Sequence, residues 1–137
     1  MKVFWRSCIL AVSKCENLPW PMSGMPSRSG VGQKDADEFI RLFMVPGMQH
    51  CGGGAGPYNF GQSSPQTGED GISSAIERWV EKKVAPVKII ATKHKASNNP
   101  ASGIARTRPL CPCPQVAKYK GSGSTDEAAS FSCVDGK

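Results

Sequence analysis

A seven-residue apolar segment, FIRLFMV at residues 39–45, limits the folds that this chain can adopt. Six of its residues are apolar, and Pro46 and Gly47 end it. A short, continuous apolar run that is closed by a turn signal is typical of a strand buried on both faces, as in a parallel sheet flanked by helices. The segment therefore predicts a buried strand and an α/β fold class.

The hydrophobic period changes after this strand. Residues 49–66 form a long glycine-rich segment without periodicity, and a loop of this length is often functional. An amphipathic pattern then predicts a helix that Asp70 caps and that stops before Pro86. VKIIAT, at residues 87–92, predicts a second short strand. The apolar stripe of the helix consists of Ile72, Ile76, Trp79, Val80 and Val84.

Both ends of the chain lack a sustained period. Residues 1–33 contain a Pro/Gly/Ser-rich stretch and match no pattern, so we assign them to an irregular segment that precedes one domain of residues 34–137. From Lys93 onward the prolines predict an irregular tail that cysteines hold together. A strand, a helix and a second strand by themselves would leave the buried strand with an unpaired edge.

Six cysteines in 137 residues favour an oxidising compartment, so we expect a secreted or periplasmic protein. The N-terminus offers only residues 8–12 as an apolar stretch, whereas a signal peptide needs about 7–15 such residues. No run approaches the roughly 18 apolar residues of a membrane-spanning helix, so no membrane association is expected. The six cysteines, Cys8, Cys15 and Cys113 among them, allow fifteen pairings, and the pattern does not choose among them.

The net charge of +6 is concentrated in one part of the chain. Residues 78–120 hold ten lysines and arginines and a single acidic residue, Glu81. We interpret them as a solvated basic surface, because aromatic residues do not alternate with the basic ones as they do in single-strand binding grooves. Nucleic acid is therefore not an expected partner. The alternative is a small exported binding protein whose basic patch contacts acidic polysaccharide or nucleic acid.

His50 is the candidate catalytic residue. It follows the predicted strand and the Pro-Gly turn, so it should project from the carboxyl end of a sheet, where α/β folds place catalytic groups. The surrounding sequence, GMQHCGGGAGP, is rich in small residues that let a substrate or another backbone approach closely. A lone loop histidine is more often structural, and this context favours a role as a base.

Other chemistry finds little support in the sequence. The glycines at 52–54 are not followed by the Gly-Lys-Ser/Thr of a phosphate-binding loop. No serine stands in a G-x-S-x-G motif, so the chain offers no nucleophile. Cys111-Pro-Cys113 lacks the spacing of a zinc site, and we predict structural cystines, no metal and no cofactor.

The segment FIRLFMVPGMQHCGGGAGPYNFG, at residues 39–61, closely resembles the histidine segment of the tannase and feruloyl esterase family. The likeness continues through AIERWVEKKVAPVKIIAT and RTRPLCPCPQVAKYKGSGSTDEAASFSCV and covers residues 34–134. It implies an α/β-hydrolase-type serine esterase that cleaves aromatic carboxylic esters through a Ser-His-Asp acyl-enzyme mechanism, with an aromatic ester as substrate of the full-length enzyme.

The resemblance also implies roles for individual residues. His50 matches the family's triad base, and Cys51 matches a cysteine whose disulfide partner, beside the nucleophilic serine, lies outside this chain. Cys111 and Cys133 match a family cystine. Because the family's serine and aspartate segments have no counterpart, we expect a C-terminal piece of the catalytic domain, a truncated esterase that is inactive by itself.

Overall fold

The computed structural model describes residues 8–12, 40–50, 52–61, 71–96 and 99–136. Within these residues the chain forms six strands, one α-helix and two single-turn 3₁₀ helices, Pro100–Ser102 and Ala128–Ser130. The strands pair into three two-stranded sheets. In chain order the elements are β1 (Cys8–Val12), β2 (Ile40–Met44), α1 (Ile72–Lys82), β3 (Ile89–His94), β4 (Ile104–Leu110), β5 (Gln115–Tyr119) and β6 (Phe131–Asp135).

The strand predicted at residues 39–45 is confirmed as β2, and it pairs in parallel with β1. Its burial is less complete than predicted, because only Phe43 of its five residues is buried and the other four are partly exposed. The register runs from Cys8 opposite Ile40 to Val12 opposite Met44. The prediction that residues 1–33 are irregular is therefore wrong for residues 8–12. This apolar stretch is too short for a signal sequence, but five residues are the usual length of a strand. The boundary after residue 33 stays a prediction.

The second edge of β2 is covered by a turn from the C-terminal part of the chain. The Cys113 N–H donates to the Leu42 carbonyl oxygen over 2.8 Å, and Phe43 forms an isolated antiparallel bridge with Pro112. The unpaired edge that the sequence led us to expect is therefore not found. A segment about 70 residues away in the chain supplies the missing partner, which a local pattern does not reveal.

The predicted helix is confirmed as α1, with a narrower buried face. Ala75 and Trp79 are its buried residues, whereas Val80 and Val84 are about half exposed. The N-cap residue is Gly71 instead of the predicted Asp70, and no side chain caps the helix. At the other end Lys83 adopts a left-handed conformation and donates from Nζ to the Val80 carbonyl, which is favourable at the negative end of the helix dipole.

The prediction of an irregular tail from Lys93 onward is wrong. β3 pairs antiparallel with β4, and β5 pairs antiparallel with β6. Prolines hide these strands from a reading of the sequence, since proline is normally excluded from sheet interiors. Pro109 lies within β4, opposite Ile90. Within its sheet β4 pairs with β3 on one side, and a proline whose nitrogen faces the other side removes no ladder hydrogen bond.

The core lies where the end of β2, α1 and the β3–β4 sheet meet. Val45 and Ala91 are completely buried, and Met48 and Ile72 pack against the cluster from its periphery. None of the helices in the described ranges is long and apolar enough to cross a membrane. The core cluster consists of Phe43, Val45, Phe60, Ala75, Ile89, Ala91 and Leu110.

Candidate active site

His50 lies in a loop, residues 46–56, that leaves the core directly after β2; we call it the His50 loop. Val45, which precedes it, is completely buried, and Met48 packs against the core cluster. His50 itself is exposed. The loop is thus rooted in the core, and His50 lies beyond the carboxyl end of β2, the position predicted from the sequence.

The His50 loop folds back on itself as a narrow antiparallel turn. Met48 bridges Gly54, and the Gln49 N–H donates to the Gly53 carbonyl over 3.2 Å. Farther from the tip, the Gly56 N–H donates to the Gly47 carbonyl over 3.2 Å. These bonds enclose the tip that carries His50. The backbone of the tip is therefore held by its own hydrogen bonds.

Glycine is required in this turn because two backbone segments approach closely. Gly54 has a φ of +101°, and a β-carbon there would collide with the Gly47 carbonyl oxygen. A β-carbon at Gly56 would collide with the Pro46 carbonyl oxygen. The sequence left open whether the small residues admit a substrate or another backbone. In the structure, Gly54 and Gly56 admit the opposite limb of the same loop.

The chain that follows the His50 loop is fastened to the rest of the fold. Asn59 and Thr92 exchange both backbone hydrogen bonds, at 3.0 and 2.7 Å, so this segment joins the edge of β3. The Ile72 N–H donates to the Phe60 carbonyl over 2.9 Å and connects the segment to the start of α1. Both Asn59 and Phe60 are buried. The long glycine-rich segment is therefore ordered where it is described.

Lys93 is a contact of the His50 loop that the sequence analysis missed. Its ammonium donates to the carbonyl oxygens of Gly54, at 3.1 Å, and Ala55, at 2.9 Å. The sequence placed this lysine in a solvated basic surface, and no local signal distinguishes it from its basic neighbours. The contact joins residues that lie nearly 40 positions apart.

Cys111 and Cys133 form a disulfide, the pairing that the family resemblance implied. Their Cα atoms are 5.6 Å apart, and the bond ties the residue after β4 to the middle of β6. Cys113 is also disulfide-bonded. Cys51 lies outside the described residues, so its expected partner stays a prediction.

Removing this disulfide should destabilise the fold. In the chain-entropy model, a bond that closes a loop of 22 residues contributes roughly 3 kcal/mol to the free energy of unfolding. We expect a loss of that size in a variant with Cys111→Ser and Cys133→Ser, measured by urea denaturation of the oxidised proteins. Peptide mapping of the unsubstituted chain that found Cys133 bonded to Cys113 would contradict the assignment.

Three of the basic residues at 78–120 make contacts within the chain. Arg106 Nε bonds Asp126 Oδ1 over 2.6 Å, and the Lys120 ammonium donates to the Ala129 carbonyl. The Arg108 guanidinium lies 4.4 Å from the centroid of the Phe131 ring. Desolvation lowers the pKa of Arg108, the positive charge of Arg106 lowers it further, and Asp126 opposes both. These contacts hold three of the basic side chains against the C-terminal part of the chain.

A groove of about 610 Å³ lies along the β3–β4 and β5–β6 sheets, and His50 is not among the residues that line it. Its floor is mainly apolar, with Ile90, Pro109 and Phe131, and two lysines stand among its other lining residues. This groove is therefore separate from the His50 loop.

Comparison with known families places this histidine loop in context. The tannase and feruloyl esterase family matches residues 26–134. The chain belongs to the tannase and feruloyl esterase family. The match includes the whole His50 loop and begins eight residues before the boundary predicted after residue 33.

Curated members of the family share substantial identity with the chain. An uncharacterized esterase of Xanthomonas campestris is 42% identical over 121 residues, which are 85% of this chain and 21% of the relative. The mono(2-hydroxyethyl) terephthalate hydrolase of Piscinibacter sakaiensis is 44% identical over 78% of this chain and 16% of its own length. A probable feruloyl esterase B-2 of Aspergillus terreus is 34% identical over 77% of this chain and 20% of the relative.

Two solved structures resemble the fold. An esterase from Aspergillus oryzae superimposes with a TM-score of 0.69 at 31% identity, and covers 79% of this chain and 22% of its own. Feruloyl esterase B from the same organism gives a TM-score of 0.64 at 28% identity, over 79% of this chain and 21% of its own. These likenesses confirm the predicted α/β-hydrolase-type fold. The chain spans about a fifth of the length of the family relatives that it matches.

Proposed function

We propose that this chain provides the catalytic histidine of a carboxylic ester hydrolase that acts on esters of aromatic acids, such as feruloyl or galloyl esters. The observation that carries the proposal is the position of His50. It is exposed at the tip of a hydrogen-bonded loop that follows β2 and the completely buried Val45, inside the segment matched by the tannase and feruloyl esterase family.

The names of the relatives support the substrate class. One relative is a mono(2-hydroxyethyl) terephthalate hydrolase and others are probable feruloyl esterases. Terephthalate and ferulate are both aromatic carboxylates, so the substrates in these names are esters of aromatic acids. We infer the same class of ester for the enzyme to which this chain contributes.

In the proposed mechanism His50 is the general base and then the general acid. A serine hydroxyl attacks the ester carbonyl while the imidazole accepts the hydroxyl proton. The tetrahedral intermediate collapses to an acyl-serine, and His50 returns the proton to the leaving alcohol. Water then attacks the acyl-enzyme with His50 again as the base, which releases the aromatic acid and restores the serine.

The serine and the aspartate of this mechanism are assigned to another part of the polypeptide, because no serine here stands in a G-x-S-x-G motif. The resemblance assigns Cys51 a disulfide to a cysteine beside that serine. Such a bond would fix the nucleophile next to the base, because Cys51 adjoins His50 in sequence.

A chimera tests the proposal. In the Piscinibacter sakaiensis hydrolase, the 109 residues that this chain matches are replaced by the matching residues of this chain. We expect the chimera to hydrolyse mono(2-hydroxyethyl) terephthalate, with the serine and aspartate supplied by the recipient. The 137-residue chain alone should not exceed the rate of free histidine, since it offers no positioned nucleophile. A folded chimera without activity would refute the proposal.

We also propose a secreted or periplasmic location. The Cys111–Cys133 disulfide and the disulfide-bonded state of Cys113 support it, because such bonds persist in oxidising compartments and are rare in the cytosol. Mass spectrometry of the protein isolated from its native source under alkylating conditions should find Cys111 and Cys133 protected. Free thiols at both positions would contradict the proposed location.

A further inference from the structure

Lys93 is the basic residue that the described structure places on the His50 loop. Its ammonium donates to two consecutive carbonyl oxygens, those of Gly54 and Ala55. Both carbonyls belong to the returning limb of the loop, and Gly54 forms the bridge with Met48. The positive charge therefore acts on the limb that closes against the segment leading to His50.

The internal hydrogen bonds of the loop determine its shape, but they do not determine where the loop stands relative to the sheets. In the described part of the chain, the Lys93 ammonium and the backbone pair of Asn59 with Thr92 both connect the returning limb to β3. Lys93 contacts the limb nearer to the tip, because Gly54 lies four residues from His50 and Asn59 lies nine. Lys93→Met would remove the contact nearer to the tip and leave the Asn59–Thr92 pair in place, so the returning limb would be held less closely near His50.

The strand that carries Lys93 is anchored in the core by the residues that precede the lysine. Lys93 follows Ala91 and Thr92 in β3, and both of these residues are buried. It pairs with Arg106 of β4, and the register shifts directly after it, between Lys93 and His94. Hydrogen bonds from a charged donor are also stronger than those between neutral groups.

We propose that Lys93 is a positioning residue for the catalytic histidine: by holding the Gly54 and Ala55 carbonyls, it keeps the His50 loop in the geometry that proton transfer requires. This inference rests on the proposed function of His50. Lys93 does not touch the reacting atoms, so its contribution reaches the reaction through the loop backbone.

Hydrogen exchange on the 137-residue chain tests the clamp without any activity. In Lys93→Met, exchange of the Gln49 and Gly56 amides should accelerate about tenfold or more, because a charge-assisted contact is lost. The Ala75 amide of α1, which donates to Gly71, should not change. Lys93→Arg should keep the slow exchange of the unsubstituted chain, since a guanidinium can donate to two carbonyls. Lys95→Met, which removes an equal charge at an exposed position two residues away, should have no effect.

The chimera tests the catalytic consequence. Lys93→Met should lower kcat about tenfold with little change in KM, because the base is misplaced while substrate contacts remain. Lys93→Arg should recover most of kcat. Unchanged amide exchange in Lys93→Met, or an equal acceleration at Ala75, would overturn the clamp. An active chimera with an unaltered kcat would overturn the positioning role. An inactive chimera whose loop exchange still accelerates would refute the proposed function and support the clamp.

Discussion

Replacing His50 by alanine in the chimera should lower kcat/KM for mono(2-hydroxyethyl) terephthalate by roughly four to six orders of magnitude. Without the imidazole, nothing removes the serine proton as the hydroxyl attacks, and nothing protonates the leaving alcohol. The activity that remains should come from substrate binding and oxyanion stabilisation, both of which the recipient protein supplies. Stopped-flow or discontinuous assays at substrate concentrations well below KM would measure the ratio directly.

The other histidine of the chain provides the matched control. His94 ends β3, pairs with Ile104 of β4 and lies outside the His50 loop. His94→Ala therefore removes an imidazole from the same domain and should leave kcat/KM close to that of the unsubstituted chimera. If the two variants lost activity equally, or if His50→Ala remained active, His50 would not be the base.

Replacing Gly54 by alanine should destabilise the chain by roughly 3 to 5 kcal/mol, which combines a strained backbone with an overpacked contact. The φ of +101° at Gly54 is unfavourable for a residue with a β-carbon, and that atom would collide with the Gly47 carbonyl oxygen. Relief would require the two limbs of the His50 loop to separate, which would break the bridge between Met48 and Gly54.

Gly121 is a control position that distinguishes the cost of backbone strain from the cost of the steric collision. It has a comparable φ of +89°, but a β-carbon there would meet no atom within 4 Å. Gly121→Ala should therefore cost only about 1 to 2 kcal/mol. Urea denaturation of both variants gives the two free energies of unfolding, and the Gly56 amide exchange should accelerate only in Gly54→Ala. Equal losses in the two variants would show that the close approach of the loop limbs is not what requires glycine.

Several parts of this site could be predicted because they depend on neighbours in sequence. The apolar run at residues 39–45 and the Pro-Gly turn placed His50 after a strand, and β2 has this position, although only Phe43 of that strand is buried. The helix and its buried Trp79, and the strand that contains Ile89, were also predicted from local periodicity, whereas the buried Ala75 was not in the predicted stripe. The motif around His50 was sufficient to indicate the tannase and feruloyl esterase family, which residues 26–134 match.

Other parts depend on contacts between distant segments and were missed. The partner of β2 on one edge is β1, from a stretch without any pattern beyond five apolar residues. On the other edge it is the turn at Pro112 and Cys113. Pro109 concealed β4, because a proline within a strand pattern argues against a strand unless the open edge is already known.

The sequence by itself determined the order of β2, α1 and β3, the histidine at the end of the buried strand and the family, since periodicity and a contiguous motif are properties of neighbouring residues. Only the tertiary structure decided what the glycines at 54 and 56 are for and which lysine holds the loop. The lysines of the basic segment cannot be distinguished from one another by the sequence alone. Lys93 differs from them because the pairing of β3 with Asn59 brings its ammonium to the carbonyls beside His50.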